Sequence, residues 1–132
     1  MARVQLALNV DDIDEAVDFY RRLFGVEPNK RQPGYANFAV PDPPLKLVLF
    51  EAPHAPQRLN HLGVEVESTA EVATAAERIT QAGLPTVNED GETCCYAVQD
   101  KIWVDGPDGP WEWYTVLADS DTFACAPEDC AS

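Results

Sequence analysis

The sequence predicts an α+β domain built as an internal duplication. A strand, a helix and a glycine turn occur near the N-terminus and again from the middle of the chain. When the two copies are aligned, Gln5 in the first strand corresponds to His61 in the repeated strand. The glycine that ends each helix is Gly25 in the first copy and Gly83 in the second. Two copies are too few for a solenoid, so the halves are expected to pack together. A length of 132 residues with 45% hydrophobic content suits one such domain.

The first half opens with a mostly apolar strand at residues 4–10, followed by a helix. Asp11 or Asp12 can cap this helix, and Gly25 lies where a C-terminal glycine belongs. The helix has one apolar stripe, formed by Ile13, Ala16, Val17, Tyr20, Leu23 and Phe24.

The remaining sequence of the first half is typical of strands. Residues 26–34 are polar and irregular, with room for one short edge strand. Residues 35–40 and 45–51 then have the composition of two strands around a proline-rich turn at 41–44.

The pattern restarts after a proline-containing linker at 52–56, with a strand at 60–66. Ser68 followed by Glu71 forms a capping box that starts the second helix. The apolar stripe of this helix comprises Val72, Ala75, Ala76, Ile79 and Ala82. Gly83 ends it.

Residues 89–96 show no clear period, whereas 99–104 and 111–116 are typical of strands. An acidic stretch without a pattern begins at Leu117, and we expect partial disorder there. The resulting organisation is one domain at 1–117, with modules at about 1–52 and 58–117, and a cysteine-containing tail at 118–132.

The charge balance excludes some partners. The chain has 23 acidic and 9 basic residues, a net charge of −14. Nucleic acids and anionic membranes would repel such a protein. The sequence has no apolar run of about 18 residues that could span a membrane. Its first residues lack the apolar run of a signal peptide, so we expect a cytoplasmic protein.

The four cysteines, Cys94, Cys95, Cys125 and Cys130, all lie in the last third of the chain. A reducing cytoplasm would keep them as thiols. Their clustering suggests a chemical role, although cysteine is also commonly buried for structural reasons.

Three polar residues stand out within strands. Glu112 follows two Asp-Gly-Pro turns and alternates with Trp111 and Trp113, so it should face away from both indoles. Gln5 and His61 occupy equivalent places in the duplication. An amide oxygen, an imidazole and a carboxylate can together ligate a divalent metal and leave positions open. The alternative for each residue alone is an ordinary buried polar side chain or a solvated one.

These features resemble the vicinal oxygen chelate superfamily, which includes glyoxalase I, extradiol dioxygenases and bleomycin-resistance proteins. The resemblance covers roughly residues 3–117 and rests on the runs at 5–10, 20–25, 61–64 and 108–112. It implies two βαβββ modules paired into a curved, cleft-forming mixed sheet. It also implies a metal held by Gln5, His61 and Glu112, although the first ligand of this superfamily is usually histidine.

The last strand of the first module bears on the number of ligands. It offers Leu47, Val48 and Leu49 where glyoxalase I has a fourth ligand. The resemblance therefore implies a three-ligand site, closer to the iron dioxygenases of the superfamily, with no catalytic side chain beyond the ligands.

A narrower resemblance comes from the run Asn88–Tyr96 followed by Lys101–Asp105. It is similar to the organoarsenical C–As lyases and their cadmium-induced relatives, in which glutamine is the typical first ligand. That resemblance implies Fe(II) as cofactor, although other divalent metals can occupy such a site. It also implies dioxygen and a trivalent organoarsenical as substrates, and arsenic bound by Cys94 and Cys95.

Physical chemistry agrees with this interpretation, because trivalent arsenic is soft and prefers thiolates. Neighbouring residues of a regular strand face opposite sides, so both thiols reach one atom only from a bent segment. Gly91 and the polar run 88–92 predict such a loop. Cys125 and Cys130 are expected to be auxiliary thiols, dispensable for the chemistry.

The sequence thus predicts a dioxygen-dependent C–As lyase, monomeric or homodimeric. Two alternatives stay open. One is a protein that sequesters cadmium or metalloids through its four cysteines. The other is another enzyme of the superfamily, such as a dioxygenase, which would not need the cysteine pair.

Overall fold

The computed structural model describes residues 2–94 and 96–119, except the side chain of Cys94. Cys95, Cys125 and Cys130 lie outside the described residues. The chain divides into two compact units, Arg3–Asn60 and a second that begins at His61.

The first unit is a βαβββ module. Its elements are β1 (Arg3–Val10), α1 (Ile13–Phe24), β2 (Lys30–Gln32), β3 (Tyr35–Pro41) and β4 (Pro44–Glu51). The strands are ordered β2-β3-β4-β1, with β1 parallel to β4 and the other pairs antiparallel. The core lies between α1 and one face of this sheet, and consists of Ile13, Val17, Ala36, Phe38, Val40, Leu47 and Leu49.

Local signals fix the ends of α1. The Asp12 carboxylate accepts a hydrogen bond from the Glu15 backbone N–H at 3.1 Å, which satisfies one free donor of the first turn. Glu51, at the end of β4, accepts another from the Ile13 N–H at 2.9 Å. Gly25 ends the helix at φ 68°, a left-handed conformation that costs little without a Cβ.

The second unit repeats the order of elements: β5 (Leu59–Glu65), α2 (Thr69–Gln81), β6 (Val87–Cys94), β7 (Ala97–Gly106) and β8 (Gly109–Asp119). Its strands are ordered β5-β8-β7-β6, and β5 is parallel to β8. The core under α2 consists of Val66, Val72, Ala75, Ile79 and Ile102, with Trp113 packed against it. The predicted α+β class with two βαβββ modules is confirmed.

Two predictions about local structure are wrong. Residues 88–92 belong to β6 and do not form a loop, although the ladder shifts register between Glu89 and Glu92, where Gly91 has φ 64°. A bulge of this kind bends a strand without ending it. Leu117, Ala118 and Asp119, where we expect partial disorder to begin, instead belong to β8, which pairs with β7 as far as Asp119. The rest of the predicted tail lies outside the described residues.

The part of the chain that the structure describes contains no helix long and apolar enough to cross a membrane.

The capping box of α2 yields the first testable prediction. The Ser68 hydroxyl accepts from the Glu71 N–H at 3.2 Å, and the Glu71 carboxylate accepts from the Glu67 N–H at 2.9 Å. Replacing Ser68 with Ala should lower the free energy of unfolding by about 1 kcal/mol, because the first turn loses an acceptor. Urea denaturation measures the loss. Glu71→Gln keeps both acceptors and is the control, and equal midpoints for Ser68→Ala and wild type would contradict the assignment.

Candidate metal centre

Three strands of the second unit bring three charged or ionisable side chains together. His61 lies in β5, Lys101 in β7 and Glu112 in β8. Side chains alternate along a strand, so Glu112 points away from the α2 core on which Trp113 packs. This confirms that Glu112 and Trp113 face opposite sides of the sheet.

The three side chains form a contiguous polar cluster. The His61 Nε2 lies 2.5 Å from the Glu112 Oε2, and the Lys101 Nζ lies 3.0 Å from the Glu112 Oε1. The exposed fractions of His61, Lys101 and Glu112 are only 2%, 2% and 3%. A buried charge is stable only when it is paired and hydrogen-bonded, and here Glu112 has a partner at each oxygen.

This environment sets the charge of Glu112. Burial is the largest single influence and raises the pKa of the carboxyl group. The charge of Lys101, followed by the attraction of His61 and the hydrogen bonds of both residues, outweighs burial and lowers the pKa from 4.5 to about 2. Glu112 is therefore a carboxylate at neutral pH and can bind a cation without first losing a proton.

Aromatic rings surround the cluster. The Lys101 Nζ lies 5.4 Å from the ring centre of Trp103 and 5.9 Å from that of Tyr114. Trp103 also meets the His61 ring edge-to-face, with centroids 5.4 Å apart. The Trp103 Nε1 donates to the Glu89 Oε1 at 2.7 Å, and the Tyr114 hydroxyl donates to the Glu65 Oε1 at 3.2 Å. These rings shield the charges and strengthen the interactions among them.

The donor set fits a divalent metal. The imidazole of His61 and the carboxylate of Glu112 are in direct contact, and both groups are common ligands of non-haem metals. Among residues 2–94 and 96–119, no three His, Cys, Asp or Glu side chains are placed to hold a metal together.

Gln5 lies in β1 of the first unit, and its exposed fraction is 4%. Its place in that unit matches the place of His61 in the second. Two residues after Gln5, Ala7 is the cross-strand partner of Val48, and two residues after His61, Gly63 is the partner of Glu112. The first unit therefore has Val48 where the second has Glu112.

The prediction that β4 supplies no ligand concerns this position. Val48 is buried and cannot bind a metal. The roles of Gln5, His61 and Glu112 as ligands stay predictions, whereas the contact between His61 and Glu112 is a structural observation.

The predicted arsenic ligands are placed only in part. Cys94 is the last residue of β6, and its backbone pairs with Ala97 of β7. Cys95 lies outside the described residues. Because β7 also carries Lys101 and Trp103, the strand that ends at Cys94 lies beside the strand that lines the polar cluster.

Lys101 and Trp103 were not predicted as site residues from the sequence. The sequence does contain a signal for them. Gln99, Lys101 and Trp103 alternate with Val98, Asp100 and Ile102 along β7, so the first three share one face of the strand. A lysine in a strand pattern normally indicates the solvent face. Its burial becomes apparent only when Glu112 is known to lie on the neighbouring strand.

The comparisons with known proteins define the class of this chain. The sequence profile of the Glyoxalase/Bleomycin resistance protein/Dioxygenase superfamily matches residues 3–113, and the chain belongs to that superfamily. The Mn(II)-bound glyoxalase from Novosphingobium aromaticivorans has the same fold, with a TM-score of 0.64 at 19% identity. That match covers 96% of this chain and 44% of the glyoxalase.

Two relatives are much more similar in sequence. The cadmium-induced protein CadI of Mycobacterium bovis is 62% identical over 128 residues, which cover 96% of this chain and 84% of CadI. The trivalent organoarsenical cleaving enzyme of Thermomonospora curvata is 55% identical over 141 residues, which cover 100% and 93%. The predicted resemblance to both groups is confirmed.

The lowered pKa of Glu112 predicts a pH dependence of stability in the metal-free protein. A depressed pKa contributes stability that is fully present above the unfolded value of 4.5 and is lost as the pH falls through about 2. The loss should be on the order of 3 kcal/mol across this window.

Urea unfolding of chelator-treated protein at a series of pH values from 5 to 2 measures this dependence. Other carboxylates also titrate, so the informative quantity is the difference between wild type and Glu112→Gln. The variant should show a shallower loss of stability with falling pH. Parallel curves would show that Glu112 does not have a depressed pKa.

Proposed function

We propose that this protein is an Fe(II)- and dioxygen-dependent lyase that cleaves the carbon–arsenic bond of trivalent organoarsenicals. One observation carries the proposal. A buried His61–Glu112 pair lies in the same unit as the strand that ends at Cys94, in a chain 55% identical to a trivalent organoarsenical cleaving enzyme.

In this proposal Gln5, His61 and Glu112 hold the iron. Neutral amide and imidazole ligands with one carboxylate leave coordination positions for substrates. When bound, Fe(II) would supply the one-electron chemistry that spin-paired carbon and arsenic groups need to react with dioxygen.

Lys101 is not a proposed metal ligand, but it controls the charge of the proposed ligand Glu112. Its ammonium lies 3.0 Å from Glu112 and keeps that carboxylate ionised. The rings of Trp103 and Tyr114 cover the ammonium and exclude water from its surroundings. A dry site limits unproductive reactions of an activated oxidant.

Cys94 and Cys95 are proposed to hold the substrate. Two thiolates replace the two hydroxyl groups of a methylarsonous acid and leave the As–C bond in place. Soft sulfur ligands discriminate for arsenic over hard cations. A cytoplasmic location suits this role, because reduced thiols are required.

The overall reaction balances without a separate reductant. Methylarsonous acid and one dioxygen give arsenite and formaldehyde. The As–C bond breaks, carbon loses four electrons, and dioxygen gains them, with one oxygen atom going to each product. Arsenic stays trivalent, so its binding chemistry is the same before and after cleavage.

A second candidate is a sequestration protein, favoured by the 62% identity to cadmium-induced protein CadI. In that function the cysteines would bind Cd(II) or a metalloid, and His61 and Glu112 would have no turnover to support. The two functions differ in stoichiometry, because sequestration stops at a fixed number of ions per chain.

Separating metal binding from arsenic binding tests the lyase. Wild type loaded with Fe(II) in air should release arsenite continuously from methylarsonous acid. His61→Ala should still bind the arsenical through thiols but should not cleave it, because the metal loses a ligand. Cys95→Ser should retain Fe(II) and cleave about 100-fold more slowly, because the arsenic loses its orientation.

Arsenite release, bound iron and bound arsenic are measured on each variant by chromatography with elemental detection. The controls are His54→Ala, which removes the chain's other, exposed histidine, and Cys125→Ser, which removes a thiol outside the pair. If loaded wild type releases no more arsenite than a protein-free sample, the lyase proposal is wrong. A fixed uptake of Cd(II) would then favour sequestration.

The tail supplies another test. We propose that Cys125 and Cys130 assist arsenic capture but not cleavage. Truncation after Asp119, the last residue of β8, should therefore leave the rate at saturating substrate within about 2-fold of wild type, since the proposed reacting groups lie elsewhere. A large loss of that rate in a truncated protein with an unchanged melting temperature would contradict a merely auxiliary role.

A further inference from the structure

Trp103 is held from two sides. One edge of its ring system meets the His61 imidazole, with centroids 5.4 Å apart and planes at 72°. Its Nε1 donates to the Glu89 Oε1 at 2.7 Å. The residue is 5% exposed, so this hydrogen bond is the means by which its one polar group is satisfied in the interior.

Glu89 comes from a different strand. It lies in β6, where its backbone faces Lys101 of β7, and the ladder shifts register immediately after it. The carboxylate therefore joins β6 to the wall of the polar cluster at the last regular pair before the bulge. Backbone pairing alone cannot fix the indole, because the ring could rotate about its two side-chain torsions.

We infer that Glu89 is a positioning residue, which acts through Trp103 to orient the His61 imidazole for metal binding. A tryptophan has only two rotatable side-chain bonds, so fixing its N–H fixes the whole ring. The fixed ring in turn limits the rotation of His61. Hydrogen-bonded groups that orient a metal-binding histidine change metal affinity by about 10- to 100-fold when they are removed, and we expect the lower end of that range for this ring contact.

The same contact couples two parts of the site. Glu89 is five residues before Cys94 on β6, and Trp103 contacts His61 on β5. A shift of the thiol-bearing strand would therefore change the position of the indole and of the metal ligand. This inference rests on the proposed metal-binding function of His61 and Glu112, but not on the identity of the organic substrate.

Co(II) titration of the full chain tests the inference without turnover. The d–d absorption of bound Co(II) reports ligand geometry, and the titration gives the affinity. Glu89→Ala leaves the buried indole N–H without its acceptor. Glu89→Gln keeps an oxygen that can accept the bond, and Glu92→Ala removes an exposed carboxylate from the same strand.

Glu89→Ala should weaken Co(II) binding about 10-fold and shift the absorption band. Glu89→Gln and Glu92→Ala should stay within about 2-fold of wild type with unchanged bands. Trp103→Phe should match Glu89→Ala, and the double variant should be no weaker than either one, because both changes remove the same contact. Melting curves identify any variant that does not fold, and the Gln rescue supports the inference independently of Trp103→Phe.

Wild-type affinity and spectrum in Glu89→Ala would overturn the inference and leave the proposed function intact. The inference would also be overturned if the losses of Co(II) affinity in Glu89→Ala and Trp103→Phe added up in the double variant. If wild type binds Co(II) no better than His61→Ala and Glu112→Ala, the proposed metal centre is wrong, and the role of Glu89 is wrong with it.

Discussion

The buried Glu112 carboxylate is the constraint on which the rest of the second unit depends. An ionised group with only 3% exposure requires partners that stay in place, and it has His61 at one oxygen and Lys101 at the other. Each partner comes from a different strand, so the pairing of β5 with β8 and of β8 with β7 must be exact. A slip of one residue would turn Glu112 into the apolar layer under α2. The polar cluster and the strand register therefore stabilise each other.

Comparison of the two copies shows that the charged pair of Lys101 and Glu112 belongs to the second unit alone. Both units have the same strand order and the same parallel pairing of their first and last strands. Val48 of the first unit corresponds to Glu112 of the second. Lys101 pairs across the strands with Tyr114, and the corresponding pair of the first unit is Tyr35 with Phe50. The charged pair of one unit is thus replaced by an apolar and aromatic set in the other. Of the three predicted ligands, Gln5 lies in the first unit, whereas His61 and Glu112 lie in the second.

Patterns local in sequence were sufficient for much of the fold. Helix α1 was predicted from its apolar stripe, a cap at Asp11 or Asp12 and Gly25, and the structure places the cap at Asp12. Helix α2 was predicted from its capping box. Both predictions succeed because caps and periodicity depend on neighbouring residues. Strand β6 was missed because its polar composition and Gly91 indicate a loop, and only its pairing with β7 makes it a strand. Lys101 was missed for a related reason. Its burial is stabilised by a carboxylate eleven positions away in the chain, and that pairing is not encoded in any short window.

The charges of the cluster also bear on the kind of metal site it can be. Lys101 places a positive charge 3.0 Å from the one carboxylate that would bind a cation, so the same contact that keeps Glu112 ionised also repels a divalent ion. Glu112 is the one carboxylate of the cluster of His61, Lys101 and Glu112, so no second anionic group of the cluster offsets this repulsion. A centre designed for tight storage of a cation would carry more anionic ligands and no ammonium. The cluster is therefore better suited to the proposed reactive metal site, which needs only moderate affinity for its metal, than to the storage of a cation.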